Sequence, residues 1–533
     1  MFILEALEHY AETDRIAIRY HDEKVSFSAL NRMADAFAAY LRRTLPSDGR
    51  PVMIYGHKQS AIPACMFGAL KAGHGYIPVD TTYPTDRAAQ ILHDAQPSVL
   101  VDLRASGLSA EHTLCEEDLA QIFAQPALPA PHSGWIRPEQ TAYLLFTSGS
   151  TGTPKGVQIT AGNLAAFHTG VKPWFARLPE GGAFLNEISY SFDVSVCALY
   201  EALSRGMTLW TADRQTLESP QALFQLLREA RPDAWVSTPS LAEFCIHSEQ
   251  FCAELLPQVR QFLFCGEVLT KKLAAELLRR FPGVPVVNAY GPTETTVLVT
   301  GTEITQAMLD ADAPLPIGRP FENVQAIIAD ERGRALPDGE PGELLVIGEA
   351  VSPGYLGRSE LNKALFFRTE GGLRGYRTGD LCRMEDGMLY YLGRLDGQIK
   401  LNGFRVELED VENNLVKLPN IARAAVLPVL QDGRVTALTA FVLLEKPDGE
   451  GALQRARRIK AARVRHARLR GHAAGHFPHA ARAFASCGVL GLADSADLLV
   501  SVPAKAGKEG MGLSSGGCFE PAAAAAGQAV FVG

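Results

Sequence analysis

Residues 147–156 read TSGSTGTPKG, a run whose residue types suit one task. Gly lets the backbone approach a ligand closely and take positive φ. Ser and Thr add hydroxyls, the backbone adds N–H groups and Lys155 adds a cation. Such groups together hold a polyphosphate. The run follows the apolar stretch AYLLF and so leaves a buried strand. It is not a Walker A loop, because Lys155 is followed by Gly and the G-x-x-x-x-G-K-[ST] spacing is missing. A flexible Ser/Gly linker is the competing reading, but a linker need neither follow a buried strand nor end in Pro-Lys-Gly.

The elements that must carry this loop read as α/β. Residues 51–56, 76–80, 142–146, 234–238, 261–266 and 285–291 are short apolar runs, and the segment 60–73 after the first of them reads as a helix. Strands alternating with helices predict parallel sheets covered on both faces. Ligands of such folds sit at strand ends, where the loop at 147–156 and the segments FCGEV and YGPTE also fall. Beyond about residue 300, Gly and Pro become frequent, as in LPDGEPGELLVIG, predicting a compact unit of short strands and turns. Residues 393–412 read as a hinge leading into strand and helix. IARAAVLPVL and VTALTAFVLLE then add two strands of a small α+β domain.

Composition limits the partners. At 533 residues the chain is too long for one core. With 47% hydrophobic and 21% charged residues it is ordinary for a globular enzyme. A net charge of −8 argues against nucleic acid. No run of 18 apolar residues predicts a membrane span, and the N-terminus lacks the basic region of a signal peptide. Nine scattered Cys without C-x-x-C fit free thiols in a reducing cytosol. A cytoplasmic monomer is expected.

Six motifs then carry a family resemblance: TSGSTGTPKG (147–156), SYSFDVS (189–195), NAYGPTE (288–294), GELLVIG (342–348), YRTGD (376–380) and GRLDGQIKLNGFRVELEDVE (393–412). In this order, over residues 1 to about 450, the chain resembles the adenylate-forming superfamily of amino-acid adenylation domains, acyl-CoA ligases and luciferases. SYSFDVSVCALY, WVSTPS, FLFCGEVL and YGPTETTVLVT are most similar to the D-alanine–carrier protein ligases, whose members activate D-alanine for esterification of teichoic acids. The resemblance implies a large ATP- and amino-acid-binding domain over 1–394 and the start of a small mobile domain over 395–455, with Asp396 at the hinge. It also implies ATP and Mg²⁺ as cofactors, and D-alanine and a phosphopantetheinylated carrier protein as partners.

The resemblance implies a role for each matching residue. Thr147, Ser148, Gly149, Ser150, Thr151, Gly152 and Lys155 would hold the β- and γ-phosphates. Glu294 would bind Mg²⁺, and Thr293 would touch the α-phosphate. Asn288 and Tyr290 would bind and stack the adenine, within a motif continued by Gly291 and Pro292. Asp380 would hold both ribose hydroxyls, and Arg394 would contact ribose and phosphate. Asp193 would pair with the α-ammonium of the amino acid, while Cys265 and Val297 would line a pocket around a methyl side chain. Without the resemblance, blander readings stay open: Glu294 and Asp193 as helix caps, Thr-Gly-Asp at 378–380 as a turn, and Cys265 as a core thiol.

The tail over 456–533 departs from the family. A Lys is expected near its end to contact the substrate carboxylate and α-phosphate, but none lies between Lys460 and Lys505, and no acid lies between Glu450 and Asp494. Lys508, in PAKAGKEG, lacks the family's flanks. Three readings compete: a diverged C-terminal segment, a basic arm for an acidic partner, and a frame change in a GC-rich gene, which the abrupt shift to Arg, Ala, Gly and His favours. Two further functional alternatives stay open: an adenylation enzyme for another small amino acid in nonribosomal peptide synthesis, and an impaired copy that binds nucleotide and carrier without turnover.

Overall fold

The computed structural model describes residues 1–45, 48–126, 128–147, 154–396, 398–401, 404–418, 421–431, 434–444, 500–503 and 526–532. The chain divides into two compact units between Leu395 and Asp396.

The first unit is built on three sheets. A seven-stranded sheet places Val52–Gly56, Tyr76–Asp80 and Val99–Asp102 side by side and parallel. These strands are buried along their whole length, as expected when helices cover both faces. Helix Ala61–Lys71 follows the first of them. A nine-stranded sheet has a parallel centre of Ala183–Asn186, Ala234–Ser237, Gln261–Phe264 and Val286–Tyr290. Its edge beyond Tyr290 turns antiparallel at Thr300–Glu303. The third sheet is antiparallel and joins Val324–Ala329, Gly342–Gly348, Phe366–Arg368, Arg374–Glu385 and Met388–Arg394. The expected β-rich unit beyond residue 300 is this sheet.

Thr141–Thr147 pairs antiparallel with Lys155–Thr160, in register Thr147 to Lys155. The strands on either side of residues 148–153 are therefore antiparallel neighbours. The helix Ala161–Phe175 begins only after the second strand. Its start is a capping box, in which Thr160 Oγ1 accepts from the Asn163 amide at 3.1 Å and Asn163 Oδ1 accepts from the Thr160 amide at 2.9 Å. The sheets are thus mixed rather than purely parallel.

The second unit contains the hairpin Gln398–Leu401 and Phe404–Glu407, helix Leu408–Val416, and an antiparallel sheet. The sheet runs Ile421–Gln431, Arg434–Leu444, Ala526–Val532, Val500–Pro503. The two strands expected from IARAAVLPVL and VTALTAFVLLE form its first pair. Two short tail segments extend it. Among the described residues no helix is long and apolar enough to cross a membrane.

Candidate functional site

The site residues of the first unit come from strand ends and from the segments that leave them. Strand Val286–Tyr290 carries Asn288 and Tyr290, both buried. The chain then passes Gly291, where a side chain would come 2.7 Å from Leu298 Cα, so only Gly fits. A single 3₁₀ turn, Thr293–Thr295, places Glu294 inside the protein at 0% exposure. Thr296 and Val297 follow with φ of 61° and 70°. Left-handed backbone at two consecutive β-branched residues is strained, and strain of this kind clusters at functional sites.

Glu294 is held from a different part of the chain. Tyr355 Oη donates to Glu294 Oε1 at 2.7 Å and lies 3.2 Å from Tyr376 Oη. The Ser352 amide donates to the Glu294 carbonyl at 2.9 Å. Lys155 Nζ stands 5.7 Å from the centre of the Tyr355 ring. Tyr355 therefore lies between the expected metal-binding acid and the expected phosphate-binding lysine. Among the described residues Thr147 Oγ1, at the end of the strand paired with Lys155, is buried and has no hydrogen-bond partner, and a buried hydroxyl is ordinarily satisfied. Ser148, Gly149, Ser150, Thr151 and Gly152 lie outside the described residues, as does Lys508.

The second acid is Asp380, four residues after Tyr376 on strand Arg374–Glu385. Tyr290 Oη donates to Asp380 Oδ2. Arg394 Nη1 donates to Asp380 Oδ1 and to the Thr378 carbonyl, both at 2.9 Å. Asp380 and Arg394 face each other across an antiparallel pair. Thr-Gly-Asp is not a turn here. Gly379 takes φ of 68° within the strand, where the pairing with Gly342–Gly348 shifts register, a bulge that re-aims the next side chain. Among the described residues each Asp380 oxygen has one donor. A carboxylate has about four lone-pair sites, so capacity for two hydroxyls remains. Burial, with the Asp380 charge beside it, pushes the Tyr290 hydroxyl well above its ordinary pKa and keeps it a donor.

Two segments thus carry both acids. Residues 290–294 hold Tyr290 and Glu294, and residues 376–380 hold Tyr376 and Asp380. Tyr290 bonds directly to Asp380, while Tyr355 links Glu294 to Tyr376. Asn288 Nδ2 donates to the Pro316 carbonyl at 2.7 Å, leaving its amide oxygen for another donor.

The expected amino-acid pocket is separate in sequence. Asp193 sits half-buried in the turn before a wide helical turn, Cys197–Ala202. Burial raises the Tyr143 and Cys197 side chains above their ordinary pKa values, and the Asp193 charge adds to both shifts. Among the described residues the buried Tyr143 Oη has no hydrogen-bond partner. Cys265 is buried at the end of strand Gln261–Phe264, its amide donating to the Ser237 carbonyl at 3.3 Å. A narrow crevice next to these elements is lined by Glu187, Val194, Ala198 and Val236. Val297 is buried. Asp396 opens the second unit, and its Oδ1 accepts from the Gln398 amide at 3.0 Å.

The donor set suits a Mg²⁺ that arrives with a polyphosphate. Among the described residues no group of three or more His, Cys, Asp or Glu could hold a metal unaided. Mg²⁺ commonly takes one or two protein carboxylates and completes its shell with phosphates and water. Glu294 matches that need.

Tyr355, Tyr376 and Ser352 were not singled out in the sequence as site residues. They lie in VSPGYLG (351–357) and YRTGD (376–380), and nothing local to either motif says that Ser352 and Tyr355 reach Glu294 or that Tyr376 meets Tyr355.

The sequence profile of the AMP-binding enzyme family matches residues 7–356. A D-alanine–D-alanyl carrier protein ligase of Bacillus licheniformis is 36% identical over 463 residues, 86% of this chain and 92% of the relative. The ligase of the same description from Bacillus mycoides is 39% identical over 450 residues, covering 83% and 88%. Among solved structures, a nonribosomal peptide synthetase protein containing adenylation and PCP domains, bound to a vinylsulfonamide inhibitor, superposes with a TM-score of 0.73 at 27% identity, covering 85% of this chain and 78% of that one. A Vibrio cholerae adenylation domain in complex with glycyl-adenosine-5′-phosphate shares the fold, with a TM-score of 0.70 at 23% identity, covering 82% and 87%.

Proposed function

We propose that this chain, which belongs to the AMP-binding enzyme family, activates D-alanine with ATP and transfers it to the phosphopantetheine thiol of a carrier protein in the cytoplasm, for D-alanylation of teichoic acids. The observation that carries the reading is the pair of buried acids, Glu294 and Asp380, held by Tyr355 and by Tyr290 with Arg394. The relatives' similarity over most of the chain supports D-alanine as the substrate.

The chemistry has two steps. A carboxylate oxygen of D-alanine attacks the α-phosphorus of ATP, forming the acyl–phosphate bond and expelling pyrophosphate. The carrier thiol then attacks the acyl carbon, forming the thioester and expelling AMP. The first step brings an anion to a polyanion, so alignment and charge neutralisation dominate it. Lys155 and the Thr147 hydroxyl would hold the outer phosphates. Glu294 would hold Mg²⁺, which when bound neutralises phosphate charge. Thr293 would donate to the α-phosphate. Asp380 would accept both ribose hydroxyls, with Arg394 fixing it. Asn288 and Tyr290 would bound the adenine. Asp193 would fix the substrate ammonium, aiming the carboxylate at phosphorus, and Cys265 and Val297 would limit the side chain to a methyl group.

The test is amino-acid-dependent ATP–pyrophosphate exchange with D-alanine, L-alanine, glycine and D-serine. Exchange strongest with D-alanine supports the reading, and exchange with another of the four alone overturns it. A second reading rests on the tail, which has no Lys between Lys460 and Lys505. It makes this chain an impaired copy, and ATP binding with no exchange for any of the four would identify it.

A further inference from the structure

Lys58 is 0% exposed. A buried ammonium is costly unless its donors are used, and among the described residues its side-chain hydrogen bonds go to one segment. Nζ donates to Asn186 Oδ1 at 3.0 Å and to the Ile188 carbonyl at 2.6 Å, and it stands 4.2 Å from the centre of the Tyr190 ring. Asn186 Nδ2 in turn donates to Tyr190 Oη at 2.9 Å and Thr211 Oγ1 at 3.1 Å.

The neighbouring strand end grips the same segment. Asp80 Oδ2 accepts from Ser189 Oγ at 2.5 Å and is paired with His57 Nδ1 at 2.8 Å. Its Oδ1 accepts from the Thr82 amide at 2.8 Å, and Ser191 Oγ donates to the Pro78 carbonyl at 3.0 Å. Lys58 and Asp80 follow and end adjacent parallel strands, Val52–Gly56 and Tyr76–Asp80. Residues 186–191 belong to the other large sheet and its exit. The amides of Phe192, Ser195 and Val196 then donate to the carbonyls of Ser189, Phe192 and Asp193. Short turns thus run without a break from the gripped residues to Asp193.

We infer that Lys58 and Asp80 are positioning residues for the amino-acid subsite: they clamp residues 186–191 so that Asp193 meets the substrate ammonium at a fixed place. The inference rests on the reading of Asp193 under the proposed function. It assigns the clamp to the ends of two strands in the seven-stranded sheet, which also carries Thr147 and Lys155 on neighbouring strands. Burial pulls Lys58 down to about 7, with the Glu187 and Asp80 charges opposing that shift.

The test compares K58M and S189A with the parent chain in pyrophosphate exchange. S189A removes one hydroxyl and decides the matter if K58M fails to fold. K58M should raise the KM for D-alanine about tenfold and S189A about threefold, with the KM for ATP unchanged within about twofold. Folded variants whose KM for D-alanine stays within that twofold margin, or whose two KM values rise together, would overturn the clamp. If the parent chain exchanges with none of the four amino acids, the proposed function fails on its own. Amide hydrogen exchange over residues 192–196 then decides: faster exchange in the variants upholds the clamp, and unchanged exchange removes it.

Discussion

Tyr355 Oη donates to Glu294 Oε1 at 2.7 Å, and both side chains are buried. The tyrosine orients a carboxylate oxygen from a strand 61 residues away in the chain. The two substitutions E294Q and Y355F should therefore separate chemistry from support. E294Q keeps an acceptor for Tyr355 but removes the charge, so kcat should fall on the order of a hundredfold to a thousandfold while thermal stability changes little. Y355F leaves the buried carboxylate short of a donor and should cost about 1.5–3 kcal/mol in stability. Exchange kinetics and thermal melts check both, and an E294Q variant as active as the parent would remove Glu294 from the metal role.

Asp380 is buried and Arg394 largely so, with 7% and 14% of the side chains exposed. Removing one partner of a buried pair costs about 3–5 kcal/mol, mostly because the other charge is stranded. D380A and R394A should each destabilise strongly, and the double variant should cost less than their sum. A coupling of about 1–3 kcal/mol in a urea double-mutant cycle is expected, together with a raised KM for ATP in D380A. Additive losses would mean that the pair does not act as a unit.

Asp80 offers a pH test. Burial works to raise its carboxyl, but the bonds from His57, Ser189 and Thr82 outweigh burial and hold it at about 2, below the ordinary 3.8. A carboxyl lowered by folding stabilises the protein above its unfolded pKa, and that contribution is lost as pH falls from about 4 through 2. It is on the order of 2 kcal/mol. Urea melts of the parent and D80N should differ at pH 7 and converge as pH drops through this window. A difference that persists unchanged to pH 2 would contradict the account.

Val297 supplies a backbone test. Ala is ordinarily more stable than Gly by about 0.5–1 kcal/mol. At φ of 70° the order should reverse. V297A and V297G remove nearly the same buried side chain, so their difference isolates the backbone. V297G should be the more stable of the two by about 1 kcal/mol in thermal melts. If V297A is the more stable, the strain is absent. Both variants enlarge the expected methyl pocket and should narrow the preference for alanine over larger amino acids.

Much of the frame was legible in the sequence because its signals are local. Period and composition marked the strands at 52–56, 76–80, 234–237, 261–264 and 286–290, since a fully buried strand needs a continuous apolar run. The motifs at 147–156, 288–294 and 376–380 named Lys155, Glu294 and Asp380 as chemically apt, because phosphate and ribose recognition draw on few residue types. The antiparallel return at Lys155–Thr160 was not legible, since an apolar run does not state its direction.

Tertiary structure alone decided which groups meet. Gly379 looked like part of a turn, but the bulge that aims Asp380 depends on its partner strand Gly342–Gly348. Tyr355 reaches Glu294, and Lys58 reaches Asn186 across 128 positions. Such contacts follow from strand order and packing, which bring distant residues within the few ångströms over which a hydrogen bond acts. The sequence by itself determined the residue types that the chemistry needs and the strands that end beside them. The fold determined their partners, because a buried donor or acceptor must be satisfied by whatever the topology places next to it.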